Sequence, residues 1–132
     1  MLIVDTNVLV DILGDDPDWA DWSIRQLQAQ AQVHDLVVTP VIYAELSLTF
    51  DSVAALDREL ANMELILVEP TRDALFLAGK AFAKYRRSGG KKSNVLADFF
   101  IGAQAAVSRC GLVTRDPRRY RNYFPSVPLI TP

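Results

Sequence analysis

The sequence predicts an α/β protein, a three-layer α/β/α sandwich around a mostly parallel central sheet of about four to five strands. Three observations carry this. Short apolar runs such as "LIV" at 2–4 and "GLVT" at 111–114 read as strands buried on both faces. Segments with helical spacing stand between them, and strand–helix–strand alternation builds parallel sheets. Half of the 132 residues are hydrophobic, enough for a real core, and no repeat, low-complexity tract or linker divides residues 1–132 into more than one domain.

The elements follow in order. "LIV" ends in Asp5, which places an acid at the C-terminal end of the first strand. "TNVLVDIL" is a short helix closed by Gly14. Asp16 and Pro17 suit the cap and first position of a second helix reaching about Gln32, with Ala20, Ile24, Leu27 and Ala31 as its inner stripe. Trp19 and Trp22 read as packing residues. "DLVVT" at 35–39 is the second strand, and Thr39 with Pro40 starts the helix "VIYAELSLTF". Asp51 or Ser52 caps a helix to about Ala61, and "ELILVEP" is the third strand. Thr71, with Asp73 nearby, opens the long helix "RDALFLAGKAFAKYRR", which Gly89 and Gly90 end in a basic loop. Ser93 or Asn94 caps the next helix, "GLVT" is the fourth strand, a basic turn follows, and "VPLI" is a last short strand.

Composition removes several chemistries. The one cysteine, Cys110, excludes an internal disulfide and reads as a small core residue before "GLVT". The one histidine, His34, lies in the polar junction "QVHDL" and reads as a solvated loop residue. One His and one Cys cannot supply the four N/S ligands of a structural zinc site. Any metal must therefore bind through oxygen, which favours magnesium, manganese or calcium. Asp5 interrupts the apolar start with no basic segment before it, so no signal peptide is expected. No run approaches the ~18 apolar residues of a membrane helix. A cytoplasmic protein without membrane association is the simplest reading.

Charge is unevenly placed. Residues 1–79 hold 14 acids and 3 bases, a balance of −11, whereas residues 80–132 hold 11 bases and 2 acids, a balance of +9. The bases cluster in "KYRRSGGKK" and "RDPRRYR", interleaved with Tyr85, Tyr120 and Tyr123. That mixture suits phosphates and stacked bases, although basic loops are also ordinary solvated surface. "RSGGKKS" lacks the spacing and preceding strand of a phosphate-binding loop.

Four acids stand out against this background. Asp98 interrupts the apolar "VLADFFIGA", with Val95 and Ile101 three residues either side. Glu45 has Val41, Ile42 and Leu48 as helical neighbours, so both acids face inward or lie at the core margin. Asp5 and Asp116 follow the first and fourth strands, at the sheet edge where ligands of such folds bind. Each has an ordinary structural reading: a core-boundary acid for Glu45, a first-turn acid for Asp98, a cap for Asp5 and a turn acid for Asp116. Together they would repel strongly at low dielectric, and a divalent cation removes that cost. Such a site also lowers the pKa of a water and offsets phosphate charge.

"MLIVDTNVLVDIL", "TPVIYAEL", "NVLADFFIGAQA" and "LVTRDPRRYRNYFP" together resemble the PIN-domain family, and within it the VapC-type toxins of type II toxin–antitoxin systems. The resemblance spans nearly the whole chain, and none of the four acids is missing. It implies a PIN-like fold and a magnesium-dependent ribonuclease, with manganese as an alternative ion. It also implies a homodimer and a higher assembly with a cognate VapB-type antitoxin. The reading is a metal-dependent endoribonuclease toxin in which Asp5, Asp98 and Asp116 hold the metal and Glu45 completes the catalytic cluster. Thr6, Asn7 and Thr114 would fix the carboxylate rotamers. Arg86, Arg87, Lys91, Lys92, Arg115 and Arg118 would grip the RNA phosphates. One rival is a haloacid-dehalogenase-type phosphatase, which also places an aspartate after a strand. It requires a second acid two residues on, where Asn7 stands. The other rival is a non-catalytic RNA-binding module, for which the basic half alone would suffice.

Overall fold

The computed structural model describes residues 1–92 and 95–132. Five strands, β1 (Leu2–Val4), β2 (Leu36–Val38), β3 (Leu65–Leu67), β4 (Gly111–Val113) and β5 (Leu129–Ile130), form one sheet. Its order is β3-β2-β1-β4-β5 and every pairing is parallel. The unbroken apolar runs explain the arrangement: all three residues of β1 and of β2 are buried, as a strand covered on both faces requires. Ile66 and Leu67, on the edge strand β3, are exposed.

Helices α1 (Thr6–Leu13), α2 (Ala20–Gln30), α3 (Pro40–Leu46), α4 (Val53–Asn62), α5 (Arg72–Arg87), α6 (Leu96–Ser108) and α7 (Arg118–Tyr123) complete the α/β/α sandwich. Local capping sets several starts. Thr39 accepts from the Ile42 N–H at 3.4 Å with Pro40 in first position, Ser52 from Ala55 at 3.1 Å, and Thr71 from Ala74 at 3.2 Å. Lys84, Arg86 and Arg87 fill the last turn of α5, where cations complement the negative helix end.

The structure departs from the sequence expectation at several elements; Ala31, expected on the inner stripe of α2, lies beyond its end and is exposed. Asp16 accepts from the N–H groups of Asp18 (2.8 Å) and Trp19 (2.9 Å), so it caps a separate turn and α2 starts only at Ala20. "VIYAELSLTF" is α-helical only to Leu46 and tightens into a 3₁₀ turn over Ser47–Thr49. The basic turn after β4 contains α7. The expected cap at Ser93 or Asn94 lies outside the described residues. Cys110 is buried and His34 exposed, as expected. No helix among the described residues is long and apolar enough to cross a membrane.

An aromatic cluster joins α5, α6 and α7. Phe99 meets Phe82, Tyr85, Tyr123 and Phe124 with ring centroids 5.4, 5.4, 5.2 and 6.1 Å apart, in edge or tilted contacts that suit ring quadrupoles. Gly102 makes room for it, since a Cβ there would come within 2.3 Å of the Phe124 ring. The expectation that Tyr85, Tyr120 and Tyr123 present stacking faces to bases is corrected here. Tyr85 and Tyr123 pack into this cluster, and Tyr120 is 1% exposed. The cluster fixes how α6 and α7 sit against each other; α6 carries the pocket residue Asp98, and α7 carries Arg119 and Tyr120, which donate to Asp98 and Asp5.

Candidate active site

Strand β1 lies between β2 and β4, so the chain leaves it in one direction and returns on its other side. Such a reversal opens a crevice beyond the carboxyl ends of the strands. Asp5 follows β1 there, and Thr114 to Asp116 follow β4.

Asp5 is 5% exposed and does two jobs with its two oxygens. Oδ1 accepts from the Thr6 N–H at 2.8 Å and caps α1. Oδ2 accepts from the Thr114 hydroxyl at 2.8 Å and the Tyr120 hydroxyl at 3.0 Å. Burial pushes its carboxyl up to about 6, the Asp98 charge adds to that, and the three hydrogen bonds oppose it. The Tyr120 phenol is pushed well above its ordinary range, chiefly by burial and then by the charges of Asp5 and Asp98, so it stays a donor.

Two side chains stitch the end of β4 to the start of α1. Thr114 is fully buried; its oxygen accepts from the Asp116 N–H at 3.1 Å and from Asn7 Nδ2 at 3.4 Å. Asn7 Oδ1 in turn accepts from the Arg115 N–H at 3.2 Å. This network fixes the backbone N–H groups of Arg115 and Asp116. Thr6 donates its hydroxyl to Glu45 Oε1 on α3 at 2.7 Å. The residues expected to set carboxylate rotamers thus contact Asp5, Glu45 and the Asp116 backbone.

Asp98 enters from the first turn of α6. Arg119, on α7, donates from Nη1 to its Oδ2 at 2.7 Å. Burial raises the Asp98 carboxyl, the Arg119 hydrogen bond and charge pull it back, and the Asp116 charge raises it again. Asp5, Glu45, Asp98 and Asp116 line one open cavity of about 340 Å³, with Thr6, Asn7, Val10 and Arg115.

The donor chemistry fits a hard divalent cation. All four acids are oxygen donors, and burial with mutual repulsion raises both Asp5 and Asp98. Their spacing is open: among the described residues, no three His, Cys, Asp or Glu side chains are gathered so as to hold a metal ion. Asp98 is instead engaged by Arg119.

The basic residues divide. Arg86, Arg87, Lys91, Lys92 and Arg118 are exposed. Arg115 is not a free surface cation: Nε and Nη2 donate to Asp11 at 2.5 and 2.8 Å, and its guanidinium lies 5.2 Å from the Trp19 ring centroid. Ser23 adds a hydroxyl to Asp11 at 3.2 Å. Sequence reasoning passed over Asp11, Arg119 and the Tyr120 hydroxyl. For Asp11 the signal was an acid within the apolar "VLVDIL", the same signal that marked Asp98.

A model of the PIN domain family matches residues 2–125. No curated protein matches the chain. Solved structures share its fold. VapBC2 from Rickettsia felis, bound to a DNA fragment from its promoter, is 18% identical with a TM-score of 0.75 over 98% of this chain and 97% of that one. VapBC-1 from nontypeable Haemophilus influenzae is 16% identical, with a TM-score of 0.73 over 98% and 96%. FitAcB from Neisseria gonorrhoeae is 17% identical, with a TM-score of 0.69 over 98% and 96%.

Proposed function

The chain belongs to the PIN-domain family, and from that premise we propose that residues 1–132 form one PIN-like domain acting as a divalent-metal-dependent endoribonuclease. It would be the toxin of a VapBC-type system. The observation that carries the proposal is the cavity at the ends of β1 and β4, which four acids line on a scaffold of hydroxyl and amide hydrogen bonds.

In this reading Asp5, Asp98 and Asp116 hold Mg²⁺ or Mn²⁺, directly or through water. Such a cation lowers the pKa of a water and offsets charge on a phosphodiester. Glu45, held by the Thr6 hydroxyl, orients a water in the cavity. Thr114 and Tyr120 fix one oxygen of Asp5 while the helix N-terminus holds the other, so the carboxylate cannot swing. Arg86, Arg87, Lys91, Lys92 and Arg118 supply the exposed positive charge for flanking phosphates. Arg115 serves the scaffold through Asp11. A VapB-type antitoxin is the proposed partner, a homodimer the proposed assembly and the cytoplasm the proposed compartment. The VapBC structures of the same fold support the antitoxin.

The test is cleavage of total RNA by the purified full chain with Mg²⁺ or Mn²⁺, followed by mapping of the new ends. Asp5→Asn should abolish cleavage and leave the fold intact, because asparagine caps a helix about as well as aspartate. Full activity in that variant, or undiminished cleavage in EDTA, would reject the proposal.

A further inference from the structure

We propose that Arg119 is an exchangeable cation of the site: it shares Asp98 with the metal, and when the metal takes that carboxylate its guanidinium turns to a phosphate oxygen of the RNA. This rests on the metal-dependent reading above and assigns Arg119 a role in it.

Three observations point to exchange. The contact is a single hydrogen bond, Nη1 to Oδ2 at 2.7 Å, although guanidinium and carboxylate can form two. The Arg119 and Asp98 side chains are 21% and 32% exposed, so water reaches both and can partly hydrate each charge once they separate. Arg119 also has a second support, since its guanidinium carbon lies 5.6 Å from the Tyr85 ring centroid. The Tyr85 hydroxyl accepts from the Lys92 N–H at 3.2 Å, which ties that ring to the exposed basic loop. A guanidinium released from Asp98 would therefore stay between the acidic cavity and the loop proposed to meet phosphates. Its neighbour Tyr120 is anchored on Asp5, which keeps the base of the Arg119 side chain in place during the exchange.

The alternative is that Arg119 holds Asp98 in position for the metal. The two roles predict opposite signs. If Arg119 and metal compete for one carboxylate, Arg119→Gln binds metal more tightly. If Arg119 positions the carboxylate, the same variant binds it less tightly.

The experiment is calorimetric titration of the full chain with Mn²⁺ alone, wild type against Arg119→Gln and Asp98→Asn. A second arm measures binding of fluorescent single-stranded RNA in Mn²⁺ as a function of salt. It uses the Glu45→Gln background with and without Arg119→Gln, with the RNA verified intact on a gel. We expect Arg119→Gln to bind Mn²⁺ about two- to fivefold more tightly, the size of a half-exposed ion pair. RNA binding should weaken, its salt slope falling by about one phosphate contact. Weaker or unchanged Mn²⁺ affinity overturns the competition, and an unchanged RNA salt slope overturns the turn to phosphate. Absence of Mn²⁺ binding in wild type as well as the variants would reject the metal-dependent reading itself, a result distinct from either.

Discussion

Arg115 and Arg119 stand four residues apart in one basic segment, and each holds an aspartate from a different helix on opposite terms. Arg115 binds Asp11 with two nitrogens, Asp11 is 2% exposed, and both Ser23 and Trp19 enclose the pair. Arg119 binds Asp98 with one nitrogen and both partners meet water. The bidentate pair is costly to break on one side, because Asp11 would be left as a buried uncompensated charge while Arg115 reaches water. A half-exposed single contact is worth little, because each partner is readily rehydrated. The same residue types thus make a firm clamp through Arg115, which lines the cavity, and a loose one on Asp98, which also lines it. The proposed metal role falls to the looser pair, since a carboxylate can serve a ligand only if its present partner can leave.

The contrast can be broken most severely at Asp98. Asp98→Asn should lower metal-dependent RNA cleavage by at least about a hundredfold, as expected when a metal ligand is lost, with little change in melting temperature. If melting falls and cleavage persists, Asp98 is an ordinary helix acid. Arg115→Ala comes next and should act on stability. It strands Asp11 in the core, and denaturant unfolding should show a loss of about 3 kcal/mol, the lower end for a buried pair because Arg115 itself is 28% exposed. A loss below about 1 kcal/mol would put both pairs in one class. Tyr120→Phe removes one hydrogen bond to Asp5 and keeps the buried ring, so Mn²⁺ affinity by calorimetry should fall about tenfold with the fold retained. The smallest effect belongs to Arg119→Gln, whose unfolding free energy should move by less than about 1 kcal/mol.

Features that depend on neighbours in sequence were legible in advance. Thr39–Pro40, Ser52 and Thr71 cap helices as local chemistry predicts, and "LIV" and "LVV" are buried strands because no polar residue interrupts them. Helix α7 was hidden because "RRYRNY" offers almost no apolar period; its anchors, Tyr120 and Phe124, show their burial only once the sheet and α6 are in place. In the pocket, the four acids could be singled out because each breaks an apolar context or ends a strand. The arginine partners of Asp98 and Asp11 could not, because Arg119 lies 21 residues from Asp98 and Arg115 lies 104 residues from Asp11. Topology alone makes those pairs, and a basic segment read linearly gives all its arginines the same role.

The order of the strands also sorts the charge. β3, β2 and β1 come from the first 79 residues, with a balance of −11, and β4 and β5 from the last 53, with +9. The strands themselves carry no charge, and the acidic and basic parts of the chain meet where Asp5 follows β1 and Thr114 to Asp116 follow β4. If the proposed ribonuclease reading holds, the exposed bases Arg86, Arg87, Lys91, Lys92 and Arg118 must offset the repulsion of the four acids, so association with RNA would slow steeply as salt screens them.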